Sequence, residues 1–237
     1  MLDEANSEAV RFRDRRVAGR LLAARLQRYR KQPRTIVLGL PRGGVVPAAE
    51  IAASLGLPLD IIISRKLGAP GNPEFAIGAV AEGGAPYLNE EGIAATGATP
   101  AYIAQETSRQ RGEIARRQDR FRNGQTLSLP DRSTVILVDD GVATGSTVFA
   151  AIRALRQLGP ARLVLAIPVA PPDTVAVLRG MVDELEVLAT PMIFWAVGAF
   201  YERFEQVSDD EVCRLLAHKP TEGRGSKGGL LSGSEPG

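Results

Sequence analysis

The sequence predicts an α/β fold in which a mostly parallel sheet carries helices on both faces. Short apolar runs rich in β-branched residues alternate with stretches of helix length along the 237 residues. The apolar runs are continuous, which is typical of strands buried on both faces. A chain of this length suits one such domain, since domains usually contain about 100–200 residues.

The predicted strands and helices alternate along most of the chain. The strands are predicted at residues 36–40, 59–64, 134–138 and 163–169. The helices are predicted at residues 10–30, 46–55, 101–122 and 146–158. Such alternation is typical of a doubly wound sheet, whose ligands bind beyond the carboxyl ends of the strands.

The chain is expected to form one domain at residues 1–218, followed by a tail. Between residues 67 and 90 the pattern breaks, and the segment LGAPGNP predicts a loop that leads into a hairpin flap. Because glycines and prolines punctuate the flap without an obvious core, we expect it to act as a lid. Residues 185–217 are expected to form a small hood. Residues 219–237 are rich in Gly and Ser, which predicts a disordered tail.

The composition excludes several classes of chemistry. One cysteine, Cys213, and one histidine, His218, rule out a disulfide framework and histidine-based zinc sites, and no metal-binding residue is assigned. The formal net charge of +2 gives no basis for a general nucleic-acid-binding surface. No run approaches the ~20 apolar residues of a membrane-spanning helix, and the acidic start is unlike a secretion signal. We therefore expect a cytoplasmic protein without a membrane partner.

The segment after the strand at 134–138 is the most informative. Asp139 and Asp140 follow this strand directly, and a short loop then leads to the next helix. The loop consists of Ala143, Thr144, Gly145, Ser146 and Thr147. Unpaired amides at a helix start suit a phosphate, and two adjacent carboxylates suit the vicinal hydroxyls of a sugar. The implied ligand is a ribose 5-phosphate. The alternative, a helix start capped by these Asp, Ser and Thr side chains with no ligand, stays open at this point.

The run VILVDDGVATGST resembles the signature of type I phosphoribosyltransferases, in which an apolar strand, an acidic pair and a T-G-x-T loop follow one another. The resemblance extends over an ordered series of elements from about residue 10 to residue 212. It implies that Asp139 and Asp140 hold the 2- and 3-hydroxyls of phosphoribosyl pyrophosphate (PRPP). It also implies that the loop 143–147 binds the 5-phosphate.

Two other strand ends carry basic residues. Arg42, Gly43 and Gly44 follow the first strand, and Arg65 and Lys66 follow the second. On the residues alone, the first group could equally be an ordinary βα turn, and the second could equally be a solvated basic turn, with no ligand at either. The resemblance implies that the first group is the pyrophosphate loop, and that the second contacts the diphosphate, with Lys66 assisting its departure.

The resemblance implies a reaction in which a nitrogenous base displaces pyrophosphate from C1 of PRPP. Mg²⁺ would be bound mainly through PRPP oxygens, and the partners would be PRPP and a base. Family members acting on 6-oxopurines have an acidic residue where this chain has Ala143, which disfavours hypoxanthine and guanine. Phe200 and Tyr201, in an aromatic cluster with Trp195 and Phe204, are candidates for stacking the base. Packing of a small lobe is the alternative for these rings.

Two further hypotheses remain open. One is a regulatory protein without catalysis that senses PRPP or a nucleotide and binds RNA through its basic helices, although a nucleic-acid partner is not the favoured expectation. The other retains the ribose phosphate site for diphosphate transfer or hydrolysis. The sequence leaves the acceptor base and a homo-oligomeric state open.

Overall fold

The structure, a computed structural model, describes residues 11–217. The strands in this part of the chain are β1 (Thr35–Gly39), β2 (Leu59–Ile61), β3 (Ser64–Ala69), β4 (Asn72–Ala81), β5 (Tyr87–Leu88), β6 (Thr134–Val138), β7 (Arg162–Val169) and β8 (Glu184–Ala189). The helices are α1 (Arg15–Arg25), α2 (Val45–Leu55), α3 (Glu90–Thr96), α4 (Pro100–Arg122), α5 (Ser146–Gln157), α6 (Pro172–Arg179) and α7 (Asp209–Ala217). Two short 3₁₀ segments lie at Gln27–Tyr29 and Val197–Phe200.

Five strands form one parallel sheet in the order β2-β1-β6-β7-β8. Gly39 at the end of β1 lies opposite Val138 at the end of β6, and Val138 lies opposite Ala166 of β7. The carboxyl ends of β1 and β6 are therefore level, so that the loops that follow them leave the sheet side by side.

Helices cover both faces of this sheet, which confirms the predicted α/β fold. On one face, α1 and α2 bury Leu22 and Ile51 against Val37 and Ile136 of the strands. On the other face, α5 packs its apolar side chains, among them Ile152, against β6 and β7. Burying each such Leu or Ile contributes about 1.5–3 kcal/mol relative to leaving it exposed.

The segment expected to act as a lid is a second, antiparallel sheet with its own core. Strands β3, β4 and β5 pair in that order, so LGAPGNP contributes to two strands and the tight turn between them. Leu67, Ile77 and Val80 are fully buried beside α4 and α7. The longest exposed run of the segment is residues 70–75, which comprise the turn at residues 70–71 and the start of β4. The predicted pairing of the hairpin flap is present in β4 and β5, but the expectation that the segment lacks a core is wrong.

Other sequence boundaries also differ from the structure. The second strand ends at Ile61, and the residues from Ser64 begin β3. The start of the expected hood, residues 185–189, belongs to β8 at the edge of the main sheet. Two helices that were not predicted, α3 and α6, lie in the linking segments. The expected tail at 219–237 falls outside the described residues, as does His218. No helix within residues 11–217 has the length and apolar character to cross a membrane.

Candidate active site

The loops after β1 and β6 are in direct contact at the carboxyl edge of the sheet. The amide of Leu40 donates to the carbonyl of Val138 across 2.9 Å, which holds the two strand ends together. A Cβ atom on Gly43 would overlap the carboxylate of Asp140, and one on Gly44 would lie 2.8 Å from Cα of Asp139. The two glycines are therefore required where the Arg42-Gly-Gly segment passes over the acidic pair. The Pro41–Arg42 peptide bond in this loop is cis.

The start of α5 has no side-chain cap. Its N-cap residue is Gly145, with φ of 78°, and no side chain accepts a hydrogen bond from the first-turn amides. By contrast, α1, α3 and α4 are capped by Asp14, Asn89 and Thr99, respectively, whereas α2 and α6 resemble α5 in having no side-chain cap. The sequence alternative of a helix start capped by its own Asp, Ser or Thr is therefore wrong. The first-turn amides of α5 remain available to an external anion.

Neighbouring elements fix the position of the loop 143–147. The hydroxyl of Thr174, on α6, donates to the carbonyl of Ala143 across 2.7 Å. The amide of Val142 donates to the carbonyl of Val169 at the end of β7, across 2.9 Å. These two contacts hold the loop in place and leave the amides of residues 143–147 unused. An anion site that is preorganised in the free protein requires such unused amides.

The acidic pair lies in an environment that opposes ionisation. Burial raises the pKa of the Asp139 carboxyl well above its usual range, and the adjacent Asp140 raises it further. Burial also raises the pKa of Asp140, although the nearby Arg15 guanidinium opposes this shift. The amide of Asp140 donates to Oδ1 of Asp139 across 2.9 Å. Two carboxyls so close together and partly desolvated favour ligands that donate hydrogen bonds to them.

Arg15 on α1 is a site residue that the sequence analysis missed. Its Nε donates to Oδ2 of Asp140 across 2.6 Å, and its Nη1 donates to the carbonyl of Glu205 across 2.9 Å. The guanidinium carbon lies 3.6 Å from the centre of the Phe204 ring. Arg15 lies in a run that also contains Arg13 and Arg16, so its place in the sequence does not distinguish it.

The predicted diphosphate residues lie on different elements. Arg42 lies in the glycine loop, and its Nη1 donates to Oδ1 of Asp209 across 3.3 Å. Arg65 and Lys66 lie within β3, in the second sheet, and not at the end of β2 as the sequence predicted. The Nε of Arg65 donates to Oε1 of Gln110 across 3.0 Å, whereas the side chain of Lys66 faces solvent.

The structure does not support Phe200 and Tyr201 as a surface for stacking a base. These residues are only 7% and 2% exposed, because they pack with Phe12 and Ala18 beneath the site. The hydroxyl of Tyr201 donates to the backbone carbonyl of Asp140 across 2.5 Å, and burial raises the pKa of this hydroxyl. Tyr201 therefore supports the acidic segment from below. The exposed aromatic rings of this region are Trp195, which is 88% accessible, and Phe204, which is 37% accessible.

Comparisons with known proteins point in one direction. A family model described as "Phosphoribosyl transferase domain" matches residues 15–201. Two curated Mycobacterium tuberculosis proteins, from strains CDC 1551 and H37Rv, are each named "Putative phosphoribosyl transferase" and are 46% identical over 211 residues. The match covers 88% of this chain and 47% of each relative, so the chain spans about half the length of these curated relatives. A crystal structure of a Thermus thermophilus protein is 45% identical with a TM-score of 0.71, covering 87% of this chain and 97% of that one.

Proposed function

Because the chain belongs to the phosphoribosyl transferase family, we propose that it transfers the 5-phosphoribosyl group of PRPP to a nitrogenous base with release of pyrophosphate. One observation carries the proposal most strongly: the uncapped start of α5 directly follows Asp139 and Asp140, and the loop after β1 touches the same pair. A phosphate site, two hydrogen-bond acceptors and a glycine loop with Arg42 thus adjoin one another. This order matches the order of phosphate, ribose and diphosphate in PRPP.

Each group has a defined part in the proposed reaction. The amides of the loop 143–147 bind the 5-phosphate, while Asp139 and Asp140 accept hydrogen bonds from the ribose hydroxyls. A nitrogen of the base forms the new bond to C1 as the bond from C1 to the diphosphate oxygen breaks; the electron pair leaves with pyrophosphate, and the proton of the base passes to the leaving diphosphate or to water. Positive charge develops on the sugar in such displacements. The half-buried acidic pair, in its ionised form, stabilises that charge, and the basic residues stabilise the leaving diphosphate.

Arg15 is compatible with a ribose bound at Asp140. Its Nε contacts Oδ2 of Asp140. A carboxylate has about four acceptor positions, so the second oxygen can still accept from a ribose hydroxyl. In this arrangement Arg15 orients the Asp140 carboxylate and favours its ionised form. The ionised carboxylate is the form that accepts a hydrogen bond from a ribose hydroxyl.

Mg²⁺ would be bound mainly through the ligand in this proposal. Among residues 11–217, no group of three or more His, Cys, Asp or Glu side chains is arranged to hold a metal ion. Asp139 and Asp140 could supply only part of a coordination shell. Mg²⁺ usually keeps several waters and binds through one or two carboxylates and substrate phosphates. The metal would neutralise charge on the diphosphate.

The RNA-binding regulatory alternative finds less support in the contacts of the basic helices. On α1, Arg16 and Arg20 both pair with Glu50. On α4, Arg116 pairs with Glu113 and Arg120 pairs with Asp210. Part of the positive charge that motivated RNA binding is therefore paired with carboxylates within the protein.

The proposal is tested first by ligand binding and then by turnover. Thermal unfolding is measured with ribose 5-phosphate and with PRPP, each with and without Mg²⁺. We expect both ligands to raise the melting temperature, because binding to the native state stabilises it. Release of pyrophosphate from PRPP is then measured with a panel of purine and pyrimidine bases. Asp140→Asn should abolish the stabilisation, whereas Asp173→Asn, an exposed aspartate on α6, should not.

The outcomes separate the hypotheses. Binding of PRPP together with release of pyrophosphate by one or more bases supports the transferase. Binding of PRPP without turnover on any base would favour the regulatory alternative. No binding of either ligand would overturn both.

A further inference from the structure

Strand β8 is the last strand of the main sheet and pairs only with β7. The amide of Asp183, just before β8, donates to the carbonyl of Leu163 across 2.9 Å. At the far end of β8, the carbonyl of Ala189 accepts from the amide of Ala170 across 3.3 Å. Because neighbouring residues of a strand direct their backbone groups to opposite sides, every second residue of β8 faces β7.

The remaining residues of β8 direct their backbone groups away from the sheet. They are Glu184, Glu186 and Leu188. Within residues 11–217, their amides and carbonyls have no hydrogen-bond partner. A row of unpaired amides and carbonyls is a template on which another strand can pair.

The opposite edge of the same sheet is closed to such pairing. Strand β2 has three residues, whereas β8 has six. The amide of Ile61, which points outward from β2, donates to Oδ1 of Asp60 across 2.7 Å. Pro58 directly precedes β2 and has no amide to offer. Short strands, prolines and charged side chains are the usual protection of an edge, so this sheet is protected at β2 and not at β8.

The two glutamates of β8 do not protect its outer side. The hydroxyl of Tyr29 donates to Oε2 of Glu184 across 2.6 Å, and Nη2 of Arg28 donates to Oε1 of Glu186 across 2.7 Å. Arg28 also pairs with Glu184. Both carboxylates are therefore held on the face of the sheet that α1 covers, and the backbone of β8 stays accessible from the side.

Exposed apolar side chains lie on α1 beside this strand. The carbonyl of Val187 faces Pro168 of β7, which has no amide, and accepts instead from Nη1 of Arg25 across 3.3 Å. This contact places α1 next to the second half of β8. Leu21, one turn before Arg25 on the same side of α1, is exposed.

The segment that follows β8 is also apolar and exposed. Met192 and Ile193 are 84% and 72% accessible. The next residue, Phe194, turns inward, with its ring centroid 4.9 Å from that of Phe200. The outward backbone of β8 and the side chains of Leu21, Met192 and Ile193 are called here the β8 surface.

We propose that the β8 surface binds a second copy of this chain, and that β8 of one copy pairs antiparallel with β8 of the other. Two sheets of five strands then become one continuous sheet of ten. A twofold axis is the commonest symmetry of protein dimers, and it places the same surface on both sides of the interface. The inference goes beyond the proposed transfer reaction and does not depend on it.

An axis at Val187 makes the edge complementary to itself. Glu186 then lies opposite Leu188 of the partner subunit, and the two residues exchange both backbone hydrogen bonds. Val187 lies opposite Val187 of the partner subunit. An axis at Glu186 would instead place two like charges opposite each other, which is destabilising. The axis at Val187 thus pairs the outward backbone groups without opposing like charges.

The apolar side chains of the β8 surface supply contact area that the strand lacks. Pairing of one short strand is small beside the ~1,200 Å² of total surface that a specific interface usually buries. Leu21 flanks the strand on the α1 face, and Met192 and Ile193 extend the surface past its end. Each copy contributes this set, so the twofold axis doubles the apolar contribution.

The first test measures the oligomeric state of the full chain by sedimentation over a range of concentrations. We expect a species of twice the 25.3 kDa of one chain. Glu186→Pro removes an outward amide from each copy and leaves the hydrogen bonds to β7 intact. The dissociation constant of the dimer should therefore rise about 10- to 100-fold. Glu186→Ala is the matched control, since it loses the same contact with Arg28 but keeps the amide, and it should change the constant less than about threefold.

The second test examines the position of the axis. Residues opposite each other in a pair without backbone hydrogen bonds have Cα atoms about 4.5 Å apart, which is within the range of a disulfide. Val187→Cys, combined with Cys213→Ser, should therefore form a disulfide-linked dimer when treated with oxidised glutathione. Non-reducing electrophoresis detects it. Phe75→Cys in the same background places a thiol on an exposed residue of the second sheet and should give no linked dimer.

The outcomes decide the inference directly. A wild-type chain that stays monomeric up to its solubility limit would overturn it. A dimer whose dissociation constant is unchanged in Glu186→Pro would also overturn it, because another surface would then hold the copies together. If Glu186→Pro does not fold, the disulfide test decides, and a dimer in which Val187→Cys forms no link counts against the pairing of β8.

Discussion

The starts of α5 and α7 illustrate two opposite ways of using a helix N-terminus. The first turn of α5 contains no acidic residue, and its N-cap is a glycine without a side-chain acceptor. The first turn of α7 contains Asp209, Asp210 and Glu211, and Ser208 accepts a hydrogen bond from the amide of Glu211. One helix start thus leaves its positive end open, whereas the other supplies its own negative charge.

The difference has an energetic meaning. A negative charge near a helix start stabilises it by about 0.3–1 kcal/mol. At α7 this stabilisation is already realised in the free protein. At α5 it is available to a ligand, at the place where the two half-buried aspartates and the loop after β1 also meet. A helix start without a side-chain cap beside a half-buried acidic pair is thus a stronger indication of a ligand site than either feature alone.

The largest expected effect comes from adding a methyl group at the start of α5. In Gly145→Ala, the new Cβ would lie 2.6 Å from the ring of Phe149, at a residue with φ of 78°. We expect ribose 5-phosphate affinity to fall about 100-fold, because the loop must move to relieve the clash and the strain. Calorimetry of ligand binding and urea unfolding measure the two effects.

Gly97→Ala is the control for backbone strain. Gly97 has a similar φ of 64°, at the end of α3, but a Cβ there meets no atom within 4 Å. It should lower the free energy of unfolding by about 1–2 kcal/mol and leave ligand affinity unchanged. Wild-type ligand affinity in Gly145→Ala would contradict the assignment of the loop.

A smaller effect is expected when α5 is given the acidic start of α7. Thr147→Glu places a carboxylate in the first turn of α5. The free protein should gain about 0.3–1 kcal/mol of stability, while ribose 5-phosphate affinity should fall about tenfold through charge repulsion. Ser108→Glu, on an exposed position of α4, adds the same charge elsewhere and should leave affinity unchanged. Tighter binding in Thr147→Glu would show that no phosphate binds at this helix start.

The smallest effect concerns pH. Because the folded protein raises the pKa of Asp139 and Asp140, these groups contribute stability that is present at acidic pH and is lost as pH rises through their folded pKa values. Ribose hydroxyls bind to the ionised carboxylates, so ligand affinity should change in the other direction and fall as pH is lowered. Melting curves with and without ribose 5-phosphate across the acidic range measure both trends. Asp139→Asn should flatten both of them, and a ligand affinity independent of pH would count against a role for the pair.

The sequence predicted the local features of the site well. The strand at residues 134–138, the acidic pair and the helix start at Ser146 lie within one short stretch, and their apolar and polar pattern is sufficient to identify them. The same holds for α2 and its glycine-rich N-terminal loop. These elements depend on hydrogen bonds and packing between residues that are close in the sequence, which periodicity and helix-capping rules describe.

Contacts over long sequence separations could not be predicted. Arg15 reaches Asp140 across 125 residues, and Arg42 reaches Asp209 across 167. No spacing rule selects one arginine from a basic run for such a contact, because the choice depends on how α1 and α7 pack. The same reason explains the error for residues 67–90, whose core is formed with α4 and with α7, which is distant in the sequence. It also explains why Phe200 and Tyr201, which are close to exposed residues in the sequence, are buried by Phe12 from the other end of the chain.

The exposed ring of Trp195 has a practical consequence. It is the one tryptophan of the chain, so the indole emission of the whole protein originates at this position. Trp195 lies two residues before Val197, whose methyl group would lie 2.5 Å from a Cβ on Gly141 of the segment between β6 and α5. Because this ring is 88% accessible, the indole should emit as it does in water, and a blue shift on adding a ligand would report that the ring has become covered.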